Sequence, residues 1–295
     1  MEENATKRNC ADVHVHLQDK RFGEAWEDVE RYLERAREQG VVKFVCDGTS
    51  PADWKRTEEF ARRFENVFPS FGVHPWNVGK ISGDWLGVLK GLLDGFDAKD
   101  GETRAGLGEV GLDFAVRDCD ESAKKAQEDA LRAQLELANE RAIPATLHSV
   151  RANGRLLKIM AEYPKIPVWL LHGWTATQEE VDRALELGAF FSFSRRSVDE
   201  NAKRARATIL AVPRDKILLE SDGPILLPPD GYAGNARVVL IQTRDADGFI
   251  LDEPSSLWKT ARSISAIRGV NFDDFARQLS VNERRFFQNW LKNKA

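Results

Sequence analysis

The chain has 295 residues, 42% of them hydrophobic and 31% charged, with a formal net charge of −4. That length fits one large α/β domain spanning residues 1–295, and no apolar run reaches the roughly 20 residues that a membrane span needs. The acid excess excludes a surface that grips long nucleic acid by counterion release alone, while leaving room for a local basic groove.

The opening stretch MEENATKRNCADVH carries charges with no apolar run behind them. No secretory signal is therefore expected, and the protein is read as intracellular, of the cytoplasm or the nucleus. Cys10, Cys46 and Cys119 lie far apart without a CxxC pair and are read as free thiols. Nothing in the patterning predicts an oligomeric state.

In chain order, short apolar runs rich in Val, Ile, Leu and Phe predict eight strands: Cys10 to His16, Val41 to Cys46, Val67 to Val73, Arg104 to Leu112, Ile143 to His148, Val168 to His172, Ala189 to Ser194 and Lys216 to Ser221. Charged stretches with helical spacing separate them. Ser50 before Pro51 reads as a helix start, as does Thr177 with Glu180. Gly40 and Gly188 read as helix ends ahead of the next strand. Eight alternations predict a (β/α)₈ TIM barrel over an open doubly wound sheet, which more often has five or six strands. After the eighth strand, GPILLPPDGYAGNARVVLIQTRDADGFILDEP reads as irregular chain over the barrel mouth. SSLWKTARSISAIRGV and NFDDFARQLSVNERRFFQNWL follow as closing helices.

Barrel enzymes build their sites at the C-terminal strand ends. Nearly every polar group predicted there is a metal-ligand type: His14, His16, His74, Glu109, His148, His172 and Asp222, which includes all five histidines of the chain. Residues i and i+2 of a strand share a face, so His14 and His16 should both enter the lumen while Val13 and Val15 face the helices. Two imidazoles on one rigid element make half of a divalent-metal site. An HxH pair alone is a weak signal; five histidines at strand ends are a stronger one.

Glu109 sits in GLGEVGLDF, within an apolar strand, where an unpaired carboxylate costs several kcal/mol and a cation is the natural compensation. Asp222, in LLESDGP, stands at the barrel lip and suits either ligation or proton transfer, against the alternative of a turn aspartate. His148 and His172 each end an apolar strand and together favour a second pair of ligands. His74, before Pro75, is open between a ligand, a phosphate contact and part of a rigid turn. Trp54, Trp76 and Trp174 follow strand ends, where aromatic faces can stack on bases or pack between loops. Among the basic residues, Arg151 and Arg195 lie nearest strand ends, where they could meet phosphates.

These residues resemble the TatD family of metal-dependent hydrolases, within the amidohydrolase-like barrels, along nearly the whole chain. The family's DxHxHL is matched by DVHVHL, its GxHPH by GVHPW, its GEIGLDY by GEVGLDF and its HCFSGS by HGWTAT. LHSVRA and SDGP match the strand-five and strand-eight motifs, and the closing helix is similar around Asn282. The resemblance implies two divalent ions, of Mg, Mn or Zn. His14, His16, Glu109 and Asp222 would hold one and Glu109, His148 and His172 the other, with Glu109 bridging. It also implies catalysis by Asp222 and Glu109 and a phosphate contact from His74, while Arg151, Trp76 and Trp174 are read from their places at strand ends as the remaining substrate-pocket residues. Trp76 replaces the family's second histidine, Gly173 and Trp174 replace Cys-Phe, and Arg237 to Asp252 departs from the usual pattern. The implied activity is a deoxyribonuclease cleaving DNA ends or short single strands. Two other readings remain open: amide, ester or lactone hydrolysis on the same barrel, and an interaction protein that has lost turnover.

Overall fold

The computed structural model describes residues 8–19, 26–97, 103–223 and 256–291. Among them, eight parallel strands form one sheet in sequential order: β1 (Cys10–Val15), β2 (Val41–Asp47), β3 (Val67–Phe71), β4 (Gly106–Asp113), β5 (Ala145–Val150), β6 (Trp169–His172), β7 (Phe190–Phe193) and β8 (Ile217–Leu219). The ring closes through the chain just after β8: the Asp222 amide donates to the His14 carbonyl and the His16 amide to the Gly223 carbonyl. All eight predicted strands are present with ends shifted by one or two residues, and the sheet is a nearly closed (β/α)₈ barrel.

Helices α1 (Trp26–Glu38), α2 (Pro51–Arg63), α3 (Trp85–Asp97), α4 (Glu121–Arg141), α5 (Asn153–Met160), α6 (Gln178–Glu186) and α7 (Lys203–Ala211) alternate with the strands. Helices α8 (Leu257–Ile267) and α9 (Phe272–Phe287) close the chain. Their starts follow the expected chemistry. Thr177 and Glu180 exchange bonds in a capping box, as do Ser50 and Asp53 ahead of Pro51. Gly40 and Gly188 end α1 and α6 at φ +84° and +82°, the left-handed region glycine enters without strain. The two closing helices stand where they were expected. The irregular segment read over the mouth, and the departure from Arg237 to Asp252, lie outside the described residues.

Among the described residues, two clusters make the core. The larger joins outward strand residues to the helices, such as Val15 and Leu17 against Val29, Tyr32 and Leu33. The smaller takes Ala11, Val13, Val45, Phe68, Leu170, Phe190 and Leu218 from the strands and closes on Phe286, Phe287 and Trp290. Phe286 and Phe287 end α9, Trp290 closes the short 3₁₀ turn after it, and the three plug the bottom of the barrel. Val13 therefore faces inward, a correction to the expected alternation. A register shift between Asp12 and Val15 resets the pleat, so Val13, His14 and His16 all serve the interior. A second shift, between Leu107 and Val110, does the same for Gly108 and Glu109.

Helix α9 is tied to the barrel wall by polar bonds. Asn282 donates from Nδ2 to the carbonyls of Arg214 and Ile217, each at 2.8 Å. Glu283 accepts the Ala11 amide at 2.9 Å. Burial pushes the Glu283 carboxyl up to about 8, against the opposing bond from Ala11 and the charge of Lys43. A carboxyl raised in the folded state binds a proton that the unfolded chain releases near pH 4.5. Its contribution is thus present at low pH and is lost as pH rises toward 8. Urea denaturation of metal-free protein should show Glu283→Gln equal to wild type at pH 5 and more stable at pH 8.5. A difference that is the same at both pH values would refute this.

Candidate metal centre

Above the apolar floor the barrel becomes polar. Asp47, Ser70, Thr146, Ser192 and Glu220 point inward from five different strands or strand ends, all buried. Gly108 lies among them because a Cβ there would stand 2.6 Å from Asp47 Oδ1 and from Ser70 Oγ. This layer supports the histidines above it.

Glu109 is the centre of the arrangement. Its Oε1 is 2.8 Å from His172 Nε2, 2.9 Å from His148 Nδ1 and 3.3 Å from His74 Nε2. Its Oε2 faces His16 Nε2 at 3.4 Å and His14 Nε2 at 3.6 Å. Asp222 Oδ1 faces His14 Nε2 at 3.7 Å and His16 Nε2 at 3.9 Å. The six ligand residues read from the sequence, His14, His16, Glu109, His148, His172 and Asp222, therefore converge. His74 joins them.

An acceptor stands close behind three of the imidazoles, and behind a fourth, His172, at longer range. His14 Nδ1 is 2.8 Å from Asp47 Oδ2, and His16 Nδ1 is 2.7 Å from the Asp47 carbonyl. His148 Nε2 is 3.2 Å from Asp113 Oδ2, and His172 Nδ1 is 3.9 Å from Glu220 Oε2. A proton held on the rear nitrogen leaves the lone pair of the other aimed at the centre, the usual way a metal-binding imidazole is fixed. Asp47, Asp113 and Glu220 escaped the sequence reading. The available signal was their position at strand ends beside the histidines.

The residues fit divalent cations. Glu109 Oε2 and the Nε2 atoms of His14 and His16 are buried without a hydrogen-bond partner among the described residues, an expense that a positive ion would offset. Compatible donor groups are His14, His16 and Glu109; His74, Glu109 and His148; and His14, His172 and Asp222. Electrostatics agree. Burial alone would push the Glu109 carboxyl up, but His74 and His172, with hydrogen bonds from His148 and His172, hold it well below the ordinary carboxylate range. Burial pulls His14 well down and His74 to about 4, so both are neutral at pH 7. In His148 and His172 burial is outweighed. Bonds and charge from Asp113 and Glu109 push His148 up to about 9, and mainly Glu109 pushes His172 up to about 10. A carboxylate that holds protons this firmly on its neighbours will also hold cations in their place.

The rim residues divide. Trp76 is half-buried; its Nε1 donates to Asp113 Oδ2 at 2.6 Å and its ring stands edge-on to His74, centroids 4.7 Å apart. Arg151 follows β5 in an exposed left-handed turn, φ +55°. Trp174 corrects the expectation of a substrate contact: it is buried, its Nε1 donates to Asn153 Oδ1 at 2.8 Å and its ring packs near Phe191. Trp54 is likewise buried and bonded to the Gly72 carbonyl. Arg196, beside the Arg195 singled out in the sequence, reaches the site: its Nη2 lies 2.9 Å from Asp222 Oδ2.

The profile "TatD related DNase" matches residues 11–288. The chain belongs to the TatD family. A relative described as the 3′-5′ ssDNA/RNA exonuclease TatD, from Pantoea ananatis, is 30% identical over 279 residues, 94% of this chain and 98% of its own length. The protein of that description from Dickeya dadantii is also 30% identical, over 94% of this chain and 97% of its own. Among solved structures, the TatD homologue YJJV of Escherichia coli superposes with TM-score 0.76 at 23% identity, covering 96% of this chain and 97% of that one. A TatD family hydrolase of Entamoeba histolytica gives 0.75 at 19% identity, covering 94% and 97%. The TatD family fold thus spans the described barrel. Among the described residues, no helix is long and apolar enough to cross a membrane.

Proposed function

We propose that this TatD family protein is a single-domain, metal-dependent phosphodiesterase that removes nucleotides from the ends of single-stranded DNA or RNA, with two divalent ions of Mg, Mn or Zn as cofactors. The observation that supports it most is the division of Glu109: Oε2 serves His14 and His16, Oε1 serves His148 and His172. In this reading His14, His16, Asp222 and Glu109 hold one ion and Glu109, His148 and His172 the other. When bound, such a pair supplies Lewis acidity to a phosphate and lowers the pKa of a water.

The chain's own groups then have definite tasks. Asp222, about one-fifth exposed at the lip, orients the attacking water and accepts its proton. His74 Nδ1 accepts the Trp76 amide at 3.1 Å, which places the proton of its neutral ring on Nε2, ready to donate to a phosphate oxygen. Trp76, beside His74 and His148, offers an indole face for the terminal base, and Arg151 on the exposed rim meets a flanking phosphate. The net charge of −4 favours an end-bound or short strand over long duplex. Glu109 stands where many amidases of related barrels carry a bridging lysine, which favours the phosphodiester over the amide reading.

A 5′-fluorescent single-stranded oligonucleotide with Mn²⁺ tests this, beside His16→Ala and Asp222→Ala. Wild type should shorten the strand from its 3′ end, with both variants slower by about 10³-fold. Cleavage by the variants at the wild-type rate would refute the assignment, and intact DNA beside hydrolysed esters or amides would replace it.

A further inference from the structure

Asp222 is held from three sides. Its amide donates to the His14 carbonyl at 3.0 Å, its backbone is left-handed at φ +52°, and its two carboxylate oxygens face different partners. Oδ1 turns toward His14 and His16; Oδ2 is 2.9 Å from Arg196 Nη2. Arg196 reaches it from the short 3₁₀ turn Arg195–Val198 that follows β7, packed against α8.

We propose that Arg196 is a positioning residue that fixes Asp222 as a one-oxygen ligand of the ion shared with His14 and His16. The inference rests on the two-cation reading above. Without the guanidinium, the Asp222 side chain at the solvent-facing lip is free to rotate, and its oxygens become equivalent. The ordering that Arg196 supplies in advance would then have to come from ion binding itself. Outer partners that orient ligands in this way change metal affinity by about 10–100-fold.

A charge effect opposes this one. Arg196 is a cation near a cation site, and its removal alone would tighten ion binding. Its side chain is 38% exposed, however, so that repulsion acts through solvent and is screened by salt. The loss of a fixed ligand is not screened. Salt therefore separates the two contributions.

Calorimetric titration of metal-free protein with Mn²⁺, at about 0.15 and 0.5 M salt, tests the proposal on wild type, Arg196→Ala, Arg196→Lys and Arg204→Ala. The last removes an equal charge from the exposed face of α7. Two Mn²⁺ equivalents are expected on wild type. One of them should weaken by about 10–100-fold in Arg196→Ala at both salt concentrations, recover in part in Arg196→Lys, and stay unchanged in Arg204→Ala. Thermal melting without metal should leave all variants close to wild type. An Arg196→Ala protein that binds both equivalents as tightly as wild type, or more tightly, overturns the proposal. So does unchanged Mn²⁺ affinity with a raised KM for the oligonucleotide, which would make Arg196 a phosphate contact instead. A wild type that takes up no Mn²⁺ overturns the two-cation reading as well.

Discussion

Glu109→Gln should lower kcat/KM for a single-stranded oligonucleotide by about 10³-fold or more, equivalent to roughly 4 kcal/mol of transition-state stabilisation. The substitution keeps the side chain's shape and removes its charge. In the native site, five imidazoles lie within 3.6 Å of the two Glu109 oxygens. The amide retains one weak acceptor and turns an NH₂ donor toward one pair of lone pairs. One half of the centre thus loses a ligand and gains a repelling group, whichever way the amide is flipped. Mn²⁺ titration should show at most one equivalent bound, where two are expected on wild type. Glu109→Asp separates charge from reach: it keeps the carboxylate but withdraws it by one methylene, so it should bind one ion and recover little activity. Glu109→Gln activity within tenfold of wild type would end the bridging role and with it the two-ion mechanism.

The extent to which this centre was legible in the sequence follows from which properties are local. His14, His16, Glu109, His148 and His172 were legible because each interrupts or ends an apolar run, and the two-residue period of a strand assigns its face. The acids behind them were not. Asp47 precedes Gly-Thr-Ser-Pro and has every mark of a turn residue; its bond to His14 exists only once β1 and β2 are paired in register. Asp113 and Glu220 follow the same logic. The inward turn of Val13 was hidden for a related reason, since a bulge is a relation between two strands, not a property of either. Trp174 was misplaced because an aromatic after a strand end reads the same whether it covers the mouth or packs beneath it. What separates the cases is Asn153, which accepts the indole N–H from across the loop. Arg195 and Arg196 are adjacent and identical in type, and the 3₁₀ turn after β7 decides which of them reaches Asp222. The strand-eight aspartate was legible; its partner was not.

Trp290→Ala should destabilise the protein by about 2–4 kcal/mol and leave the metal centre's chemistry intact. Trp290 is fully buried at the barrel floor, with ring centroids 6.0 Å from Phe68 and 6.2 Å from Phe286. Gly106, at the start of β4, makes room for it: a Cβ there would lie 2.4 Å from the indole. Large-to-small truncation of an aromatic in a core costs about 3–5 kcal/mol. The indole Nε1, however, has no hydrogen-bond partner among the described residues, and removing that donor relieves a penalty of about 1–3 kcal/mol already present in the native state. Packing outweighs the relief, which places the net effect below the usual range for such a truncation. Gly106→Ala on its own overfills the same seat and should cost about 1–3 kcal/mol. In the Trp290→Ala background the added methyl has space, so the two costs should fall well short of additive, a coupling that a double-mutant cycle in urea measures. Strict additivity, or a Trp290→Ala loss below about 1 kcal/mol, would show that the floor is held by Phe286 and Phe287 without the indole. The polar layer of Asp47, Ser70, Thr146 and Glu220 separates Trp290 from the histidines. At temperatures where the variant remains folded, its Mn²⁺ stoichiometry should therefore match wild type.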